Sequence, residues 1–279
     1  MEEVSTNDIS RIIEALKTSQ GVDFSNYAFS SFRRRVVRFT EINRIRSIDI
    51  LLEKIINDTS FSDKVIDSIT VNVTEMFRDP SFWVMLRDYV FPVFTDKQEI
   101  RIWHAACSTG EEVYSMIILL HEAGLLQKSK IIATDLNRNV LRSAEDGMLR
   151  KNNENVNNRN YKMVCGKNDL ADYYSITDCM IHLDKKLLSN VQFAQHDLTK
   201  DDAFGEFDLV LCRNVLIYFN SELQERVLST INKSLCKGAY LAIGSKESIR
   251  WCREYYCFHE ESIEEKIYKK INERKPHLY

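Results

Sequence analysis

One glycine followed by two acids stands in the stretch HAACSTGEEVYS, residues 104 to 115, where Gly110 precedes Glu111 and Glu112. A loop that cradles phosphate would instead place backbone N–H groups and positive charge at the start of a helix. The acids could serve a cationic ligand. They could also begin an ordinary helix, since carboxylates are favourable near a helix N-terminus.

Polar residues also follow two other apolar runs. Asp135 closes the run KIIATD, and Arg213 with Asn214 follows LVLC. In open parallel sheets, ligands bind beyond the carboxyl ends of the strands, where an acid can accept hydrogen bonds from both hydroxyls of a ribose. Asp135 could instead cap a helix that begins near Asn137.

The ligand that suits these residues is a nucleoside without phosphates that carries a cationic centre and an amino-acid end. S-adenosylmethionine has a positive sulfonium, a positive amino group and a ribose diol, so it favours carboxylates over lysines near the turn. These residue types alone indicate S-adenosylmethionine, and the simple strand-to-helix turn stays open beside that interpretation.

Alternating strands and helices must position these residues. From residue 99 the pattern predicts strands at EIRIWHAA, KIIATD, FDLVLCRN and GAYLAIGS, and helices at residues 111 to 123, 137 to 147 and 221 to 235. This alternation is typical of an α/β fold with a doubly wound, largely parallel sheet.

An insertion interrupts this alternation before FDLVLCRN. It contains an asparagine-rich loop, a short helix and three short apparent strands, YYSIT, CMIHLD and VQFAQHD. We expect a small antiparallel β insertion at about residues 172 to 195. The final EYYCFHEESIEEKIYKKI predicts two antiparallel strands that close the main sheet.

The first ninety or so residues predict helices only, with helical patterns at residues 48 to 56 and 61 to 69 and a helix opened by Asp79-Pro80. The segment from residue 26 to 39 predicts an amphipathic helix with a basic outer face. Its apolar stripe is Phe29, Phe32, Val36 and Phe39, and Arg34 with Arg38 projects from the opposite side. We expect a helical domain at residues 1 to about 90 and an α/β domain at residues 91 to 279.

The composition excludes several classes of protein. With 44% hydrophobic residues, 28% charged residues and a formal net charge of -3, the chain reads as a globular protein without a basic field for nucleic acid. The apolar run at residues 116 to 120 is too short to span a bilayer, and the polar start MEEVSTNDIS argues against a secretory signal. We therefore expect a cytoplasmic protein.

Seven cysteines without a CxxC pair predict reduced thiols. Cys252, Cys257 and His259 come nearest to a metal pattern, but free thiols near a strand explain them better, so no metal is expected.

Four blocks carry a resemblance to a known family: YAFSSFRRRVVRF, VNVTEMFRDPSFW, RIWHAACSTGEEVYS with ATDLNRNVL, and FDLVLCRNVLIYF. They make the chain similar, over nearly its whole length, to the chemotaxis receptor methyltransferases. These S-adenosylmethionine-dependent enzymes esterify glutamates on bacterial chemoreceptors and release S-adenosylhomocysteine. The resemblance implies an N-terminal all-helical substrate-recognition domain, followed by a doubly wound, Rossmann-like class I methyltransferase domain with a small antiparallel β insertion.

The resemblance also implies site residues. Arg78 and Tyr218 would lie near the reacting centre, although Arg78 could pair with Asp79 or Asp88, and Tyr218 could pack on Phe219. The arginines of the helix at residues 26 to 39 would bind substrate, or would form a solvated face. The cofactor contacts would be Asn72, Thr74, Arg78, Ala106, Glu112, Asp135, Asp197, Leu198, Arg213 and Asn214, and the substrate contacts Arg33, Arg34, Arg35 and Arg38.

The chain departs from the family pattern at three places. Asp197-Leu198 stands where the family usually has Asn-Leu, and GSKES places Ser245 and Lys246 where Gly-His-Ser is usual. Family members that bind a receptor's C-terminal peptide often carry a glycine-bearing loop in the insertion, whereas the turn ITDC here is short and lacks glycine. We therefore expect an enzyme that works without such a tether.

Together these observations predict protein-glutamate O-methylation of a chemoreceptor-type coiled coil by a monomer, without nucleic acid or direct membrane insertion. A methyltransferase for a different acceptor and a cofactor-binding signalling module without turnover remain the alternatives.

Overall fold

The computed structural model describes residues 4–70, 74–164, 168–178 and 180–271. The chain forms two compact units, Met1–Asn72 with Leu216–Arg226, and Val73–Val215 with Val227–Tyr279. The first unit therefore ends before the boundary near residue 90 that the sequence suggested. The helix opened by Pro80 belongs to the second unit.

The first unit is helical. Side-chain oxygens cap three of its helices at the N-terminus, where Ser5, Ser47 and Asp58 accept from backbone N–H groups that a helix leaves unpaired. Apolar residues from all four helices share one buried core, which stabilises helices too short to persist alone. The helices are α1 (Thr6–Gln20), α2 (Phe29–Ile42), α3 (Ile48–Asn57) and α4 (Thr59–Ile69).

Helix α2 carries the predicted amphipathic pattern with one error. Phe32, Val36 and Phe39 are buried, but Phe29 is 44% exposed because it is the first residue of the helix. The apolar stripe is thus one residue shorter than predicted. The side chains of Arg34 and Arg38 are exposed, as the sequence indicated.

A later segment of the chain completes the first unit. Tyr27 and Phe219 form an isolated antiparallel bridge, and their rings pack edge to face with centroids 5.2 Å apart. The backbone N–H of Ala28 donates to the carbonyl of Tyr218 across 2.7 Å. Helix α9 (Ser221–Ser234) begins in this segment.

The second unit alternates strands and helices. It contains α5 (Pro80–Met85), β1 (Ile100–Ala105), α6 (Glu111–Glu122), β2 (Ser129–Asp135), α7 (Arg138–Glu145), β3 (Met148–Arg150), α8 (Glu154–Met163), β4 (Tyr174–Thr177), β5 (Met180–Leu183), β6 (Val191–Gln195), β7 (Phe207–Cys212), β8 (Leu235–Ile243), β9 (Phe258–Ser262) and β10 (Ile267–Lys270).

Within the described residues, seven strands form one sheet in the order β6-β2-β1-β7-β8-β10-β9. The first five are parallel, and β10 and β9 add two antiparallel strands at the edge, as predicted for the end of the chain. Chain order reverses between β1 and β7, so a ligand site is expected beyond the carboxyl ends of these two strands. The predicted doubly wound fold is confirmed.

A small antiparallel sheet, in the order β3-β5-β4, lies in the insertion. Two strands differ from the sequence prediction. The strand from VQFAQHD is β6, which pairs in parallel with β2 in the main sheet, and the third strand of the small sheet is β3. A short alternating run shows that a strand forms but does not identify its partner.

Helix α6 is buried over almost its whole length, which fixes the turn between β1 and α6 against the sheet. All residues from Val113 to Leu120 are buried, and Ile102 and Leu209 of the adjacent strands share their core. No helix in the described part of the chain combines the length and apolar character required to cross a membrane.

Candidate functional site

The loop after β1 has a strained backbone. Ala106 and Ser108 adopt positive φ angles of 64° and 52°, and Gly110 has a φ of 96°. A residue with a β-carbon pays about 1–2 kcal/mol in this region, and such strain concentrates at ligand sites. The loop lies at the point where strand order reverses, so the strain coincides with the expected site.

Asp135 closes β2 and is only 8% exposed. Its Oδ2 accepts the backbone N–H of Ser108 and its Oδ1 that of Asn137, both across 2.9 Å. The cap of α7 is Asn137, which excludes Asp135 as the helix cap. Burial raises the pKa of Asp135 although both N–H groups oppose this, so further hydrogen-bond donors would stabilise the ionised form.

Glu112, in the first turn of α6, lies between two basic side chains. His104 Nδ1 is 2.9 Å from Oε1, and Arg213 Nη1 donates to Oε2 across 3.1 Å. Burial acts to raise the pKa of Glu112, but the hydrogen bond with His104 and the charge of Arg213 hold it below its ordinary value. Glu112 therefore acts as a carboxylate that orders Arg213.

Arg213, after β7, is held on three sides. Nη2 donates to Oδ2 of Asp79 across 2.7 Å, and the guanidinium carbon lies 4.0 Å from the ring centroid of Phe82. With Glu112, these contacts fix a cation whose side chain is 2% exposed. Its Nε is buried and has no hydrogen-bond partner among the described residues.

Asn214 adopts a positive φ of 62° directly after Arg213. The carboxylate of Glu247 holds it there, because Oε2 accepts the N–H groups of Asn214 and Gly244 across 3.0 and 2.6 Å. Glu247 was not predicted from the sequence, and the neighbouring Ser245 and Lys246, which depart from the family pattern, are both exposed.

Asp197 and Leu198 are both buried and follow β6. Oδ1 of Asp197 accepts the backbone N–H and the hydroxyl of Thr199 across 2.9 and 2.7 Å. Oδ2 is buried without a hydrogen-bond partner in the described part of the chain, although the ammonium of Lys200 lies 3.6 Å away.

The segment before α5 contributes through its backbone. The carbonyl of Thr74 accepts from Nδ2 of Asn153 across 3.1 Å, and that of Arg78 accepts from Nε1 of Trp83 across 2.9 Å. The two carboxylates suggested as partners of Arg78 form other ion pairs, Asp79 with Arg213 and Asp88 with Arg87. Asn72 lies outside the described residues.

Tyr218 and the predicted substrate arginines lie in the helical unit. The Cζ of Arg35 is 5.2 Å from the ring centroid of Tyr218, whereas Phe219 packs on Tyr27. Arg33 and Arg35 are half-buried, in contrast to the exposed Arg34 and Arg38.

In the second unit, the structure thus brings Ala106, Glu112, Asp135, Arg213 and Asn214 to the carboxyl ends of β1, β2 and β7. Cys252, Cys257 and His259 show no metal cluster, and no group of three potential ligands occurs among the described residues.

These groups fit S-adenosylmethionine. The unpaired Nε–H of Arg213 suits the carboxylate of an amino-acid end, and Oδ2 of Asp197 suits the amino group of an adenine. Asp135, with its raised pKa, suits the donors of a ribose diol. Asp135 and Asp197 add two carboxylates at this sheet edge to the one that pairs with Arg213, and these carboxylates suit a cationic ligand.

Two family models match almost the whole chain. Residues 72–272 match the family model described as CheR methyltransferase, SAM binding domain, and residues 7–70 match CheR methyltransferase, all-alpha domain. Cher3 of Pseudomonas putida is 39% identical over 242 residues, which cover 87% of this chain and 89% of that protein.

Two further relatives are chemotaxis protein methyltransferases. That of Listeria monocytogenes is 30% identical over 238 residues, which cover 84% of this chain and 87% of the relative. That of Borreliella burgdorferi is 28% identical over 264 residues, which cover 88% and 90% of the two chains.

Proposed function

The chain belongs to the CheR methyltransferase family, and from this premise we propose that it methylates glutamate side chains in the coiled-coil signalling domain of a chemoreceptor. The protein is an S-adenosylmethionine-dependent methyltransferase related to chemotaxis enzymes. The acceptor, a receptor glutamate, is the proposed part.

The observation that supports a receptor glutamate as the acceptor is the exposed pair Arg34 and Arg38 on α2. This helix lies in the unit that matches the all-alpha domain of the family. Two guanidinium groups one turn apart on a helix attract a surface that presents carboxylates, such as the glutamates along a helical coiled coil. A receptor of this kind is an acidic, elongated partner. The basic face of α2 suits it in charge.

The bound cofactor supplies a methyl group on a cationic sulfur, which leaves as a neutral thioether when the methyl carbon joins a carboxylate oxygen. A glutamate is already ionised at pH 7, so the chain has no need of a general base. The positive charge of the sulfonium and the negative charge of the carboxylate both disappear in the reaction. Because water stabilises the charged reactants more than the neutral products, exclusion of water favours the transfer. The chain must orient the two reactants and keep water out.

The family resemblance assigns the residue roles, and the contacts described above support those of Asp135, Arg213 and Asp197. Asp135 would bind the ribose, and Arg213, ordered by Glu112 and Asp79, would bind the amino-acid end. Asp197 and Leu198 would bind the adenine. By the same resemblance, Asn72, Thr74, Arg78, Ala106 and Asn214 would line the remaining cofactor surface, and Arg78 and Tyr218 would each have a role near the reacting carboxylate.

The test is transfer of labelled methyl groups from S-adenosylmethionine to purified chemoreceptor signalling domains. A methyl ester of glutamate releases methanol in base, and replacing the modified glutamates by alanine should abolish labelling. Cofactor binding without transfer to any receptor would instead support a signalling module. Base-stable labelling would indicate a different acceptor group.

A further inference from the structure

The guanidinium of Arg35 and the ring of Tyr218 meet inside the helical unit. The guanidinium carbon lies 5.2 Å from the ring centroid, within the range in which a cation is attracted to an aromatic face. Both side chains are half-buried, so water screens this attraction only in part. The contact joins a residue of α2 to the segment Leu216–Arg226.

The backbone holds Tyr218 on its other side. Its carbonyl accepts the N–H of Ala28 across 2.7 Å, and the next residue, Phe219, bridges to Tyr27. The hydrogen bond from Ala28 and the contact with the guanidinium of Arg35 thus hold Tyr218 on two sides. The backbone contacts fix only the main chain, so the contact with the guanidinium helps to set the orientation of the ring about its side-chain bonds.

Arg35 differs from the exposed arginines on the same helix. Its Nε is buried and lacks a hydrogen-bond partner within the residues that the structure describes. Burial lowers the pKa of Arg35, as do the charges of Arg34 and Arg38, and Tyr218 opposes the change. A buried donor without a partner costs free energy, so the contact with the phenol offsets an unfavourable placement.

We propose that Arg35 is a positioning residue that fixes the ring of Tyr218 for methyl transfer. This inference rests on the proposed function, in which Tyr218 lies near the reacting carboxylate. Arg35 then acts through Tyr218 on the turnover step. Arg34 and Arg38, which are exposed, act on the encounter with the receptor.

The kinetic test compares Arg35→Gln, which removes the cation, with Arg35→Lys, which keeps it. We expect Arg35→Gln to lower kcat about tenfold, and Arg35→Lys to recover part of this loss, with little change in KM for receptor. Lys54→Gln is the matched control, since Lys54 Nζ lies at the same 5.2 Å from the ring of Phe61 in the same unit. This control should keep the wild-type kcat.

Tyr218→Phe separates positioning from direct contact with substrate. If Arg35 acts through the hydroxyl of Tyr218, Arg35→Gln should lower kcat less than about twofold in the Tyr218→Phe background. An equal loss in both backgrounds would overturn the inference, as would an unchanged kcat in Arg35→Gln. Cofactor affinity and thermal unfolding, measured on each variant, identify a merely structural loss.

A ring-labelled tyrosine NMR spectrum reports on the position of Tyr218 without any turnover. Tyr218→Phe assigns the signal, and we expect Arg35→Gln to shift and broaden it while Lys54→Gln leaves it in place. An unmoved signal in Arg35→Gln contradicts the inference. If the wild-type protein methylates no receptor, the proposed function fails, and the spectrum still decides whether Arg35 positions the ring.

Discussion

The guanidinium of Arg213 donates to the carboxylate of Glu112 across 3.1 Å, just beyond the carboxyl ends of two adjacent parallel strands. Arg213 follows β7, and Glu112 stands in the first turn of the helix that follows β1. The pair therefore joins the two strands between which chain order reverses. Loss of one partner would leave the other charge buried, and this costs far more than the pair contributes when intact.

Replacement of Glu112 by Gln should lower the free energy of unfolding at pH 7 by about 2 kcal/mol. The folded-state pKa of Glu112 is depressed, so its stabilisation is present above the ordinary value of 4.5 and is lost as pH falls through the depressed pKa. The difference between wild type and Glu112→Gln should therefore shrink in acid. Urea denaturation at pH 7 and below pH 4.5 measures it.

Glu99→Gln provides the control for this measurement. Glu99 pairs with Lys130 and Arg101, but more than half of each basic side chain is exposed, and such surface pairs contribute little. If Glu112→Gln is as stable as Glu99→Gln, the buried pair of Glu112 and Arg213 contributes no more to stability than a surface pair.

Gly110→Ala should destabilise the protein by about 3 kcal/mol. A β-carbon at Gly110, which has a φ of 96°, would lie 2.7 Å from Cζ of Tyr114 and 3.0 Å from Cβ of Ala144. Tyr114 would have to shift, although its hydroxyl donates to the carbonyl of Ala144 across 2.7 Å. Gly124→Ala is the control, because Gly124 has a φ of 71° and open space around it.

Denaturant unfolding of Gly110→Ala and Gly124→Ala separates backbone strain from steric crowding by the added β-carbon. Gly124→Ala should cost only the backbone strain, about 1 kcal/mol, so equal losses in the two variants would exclude the crowding at Gly110.

Asp135→Ala should weaken cofactor binding by about 1.5–3 kcal/mol, the range for a lost hydrogen bond to a charged group. Burial raises the pKa of Asp135, and ribose donors favour its ionised form. Cofactor affinity of the wild type should therefore fall as pH is lowered through this raised pKa. Asp135→Ala should lack that part of the pH dependence.

Isothermal titration calorimetry with S-adenosylhomocysteine, at a series of pH values decreasing from 7, measures the loss of affinity in Asp135→Ala and the pH dependence of binding to the wild type. Glu145→Ala, an exposed carboxylate on α7, should bind like the wild type. Unchanged affinity in a folded Asp135→Ala protein would remove this residue from the cofactor site.

The sequence located Asp135, Glu112 and Arg213 because each stands where an apolar run ends, and the carboxyl ends of parallel strands meet at one edge of a sheet. It could not show that Glu112 and Arg213 bind each other, since their contact depends on side-chain directions at two separate strand ends. The cationic ligand was inferred from the acids alone. In the structure, Glu112 also orders the guanidinium of Arg213, and Asp135 also accepts the backbone N–H of Ser108.

The role of Glu247 could not be predicted from the sequence for a similar reason. Its carboxylate accepts from the backbone of Asn214, across a loop with no periodic pattern, so residue type and spacing carried no signal. The place of β6 in the main sheet was missed because an alternating run of five residues predicts a strand without naming its partner.

The enzyme should methylate receptors with and without their C-terminal tails at similar rates. The sequence ITDC contains no glycine, and Asp178, which follows β4, adopts a φ of 49°. A glycine is the residue that most easily lets another backbone approach closely, so its absence from ITDC argues against a bound tail peptide. A strong rate loss on removing the tail, or direct binding of the tail peptide, would contradict this prediction.

Arg34→Glu combined with Arg38→Glu should lower the second-order rate of receptor methylation about tenfold at low salt, while cofactor affinity stays unchanged. Both side chains are exposed, so their charges act through water and mainly on the encounter with an acidic partner. Screening has a length of about 8 Å at physiological ionic strength, so the rate of the wild type should fall with salt and that of the double variant much less.

Arg44→Glu combined with Arg46→Glu matches this change in net charge on exposed positions just after α2, and should retain most of the wild-type rate. Initial rates over a salt series, with receptor well below KM, give the comparison. If the α2 variant methylates receptor at the wild-type rate in low salt, the basic face of α2 is a solvated surface that makes no contribution to substrate binding.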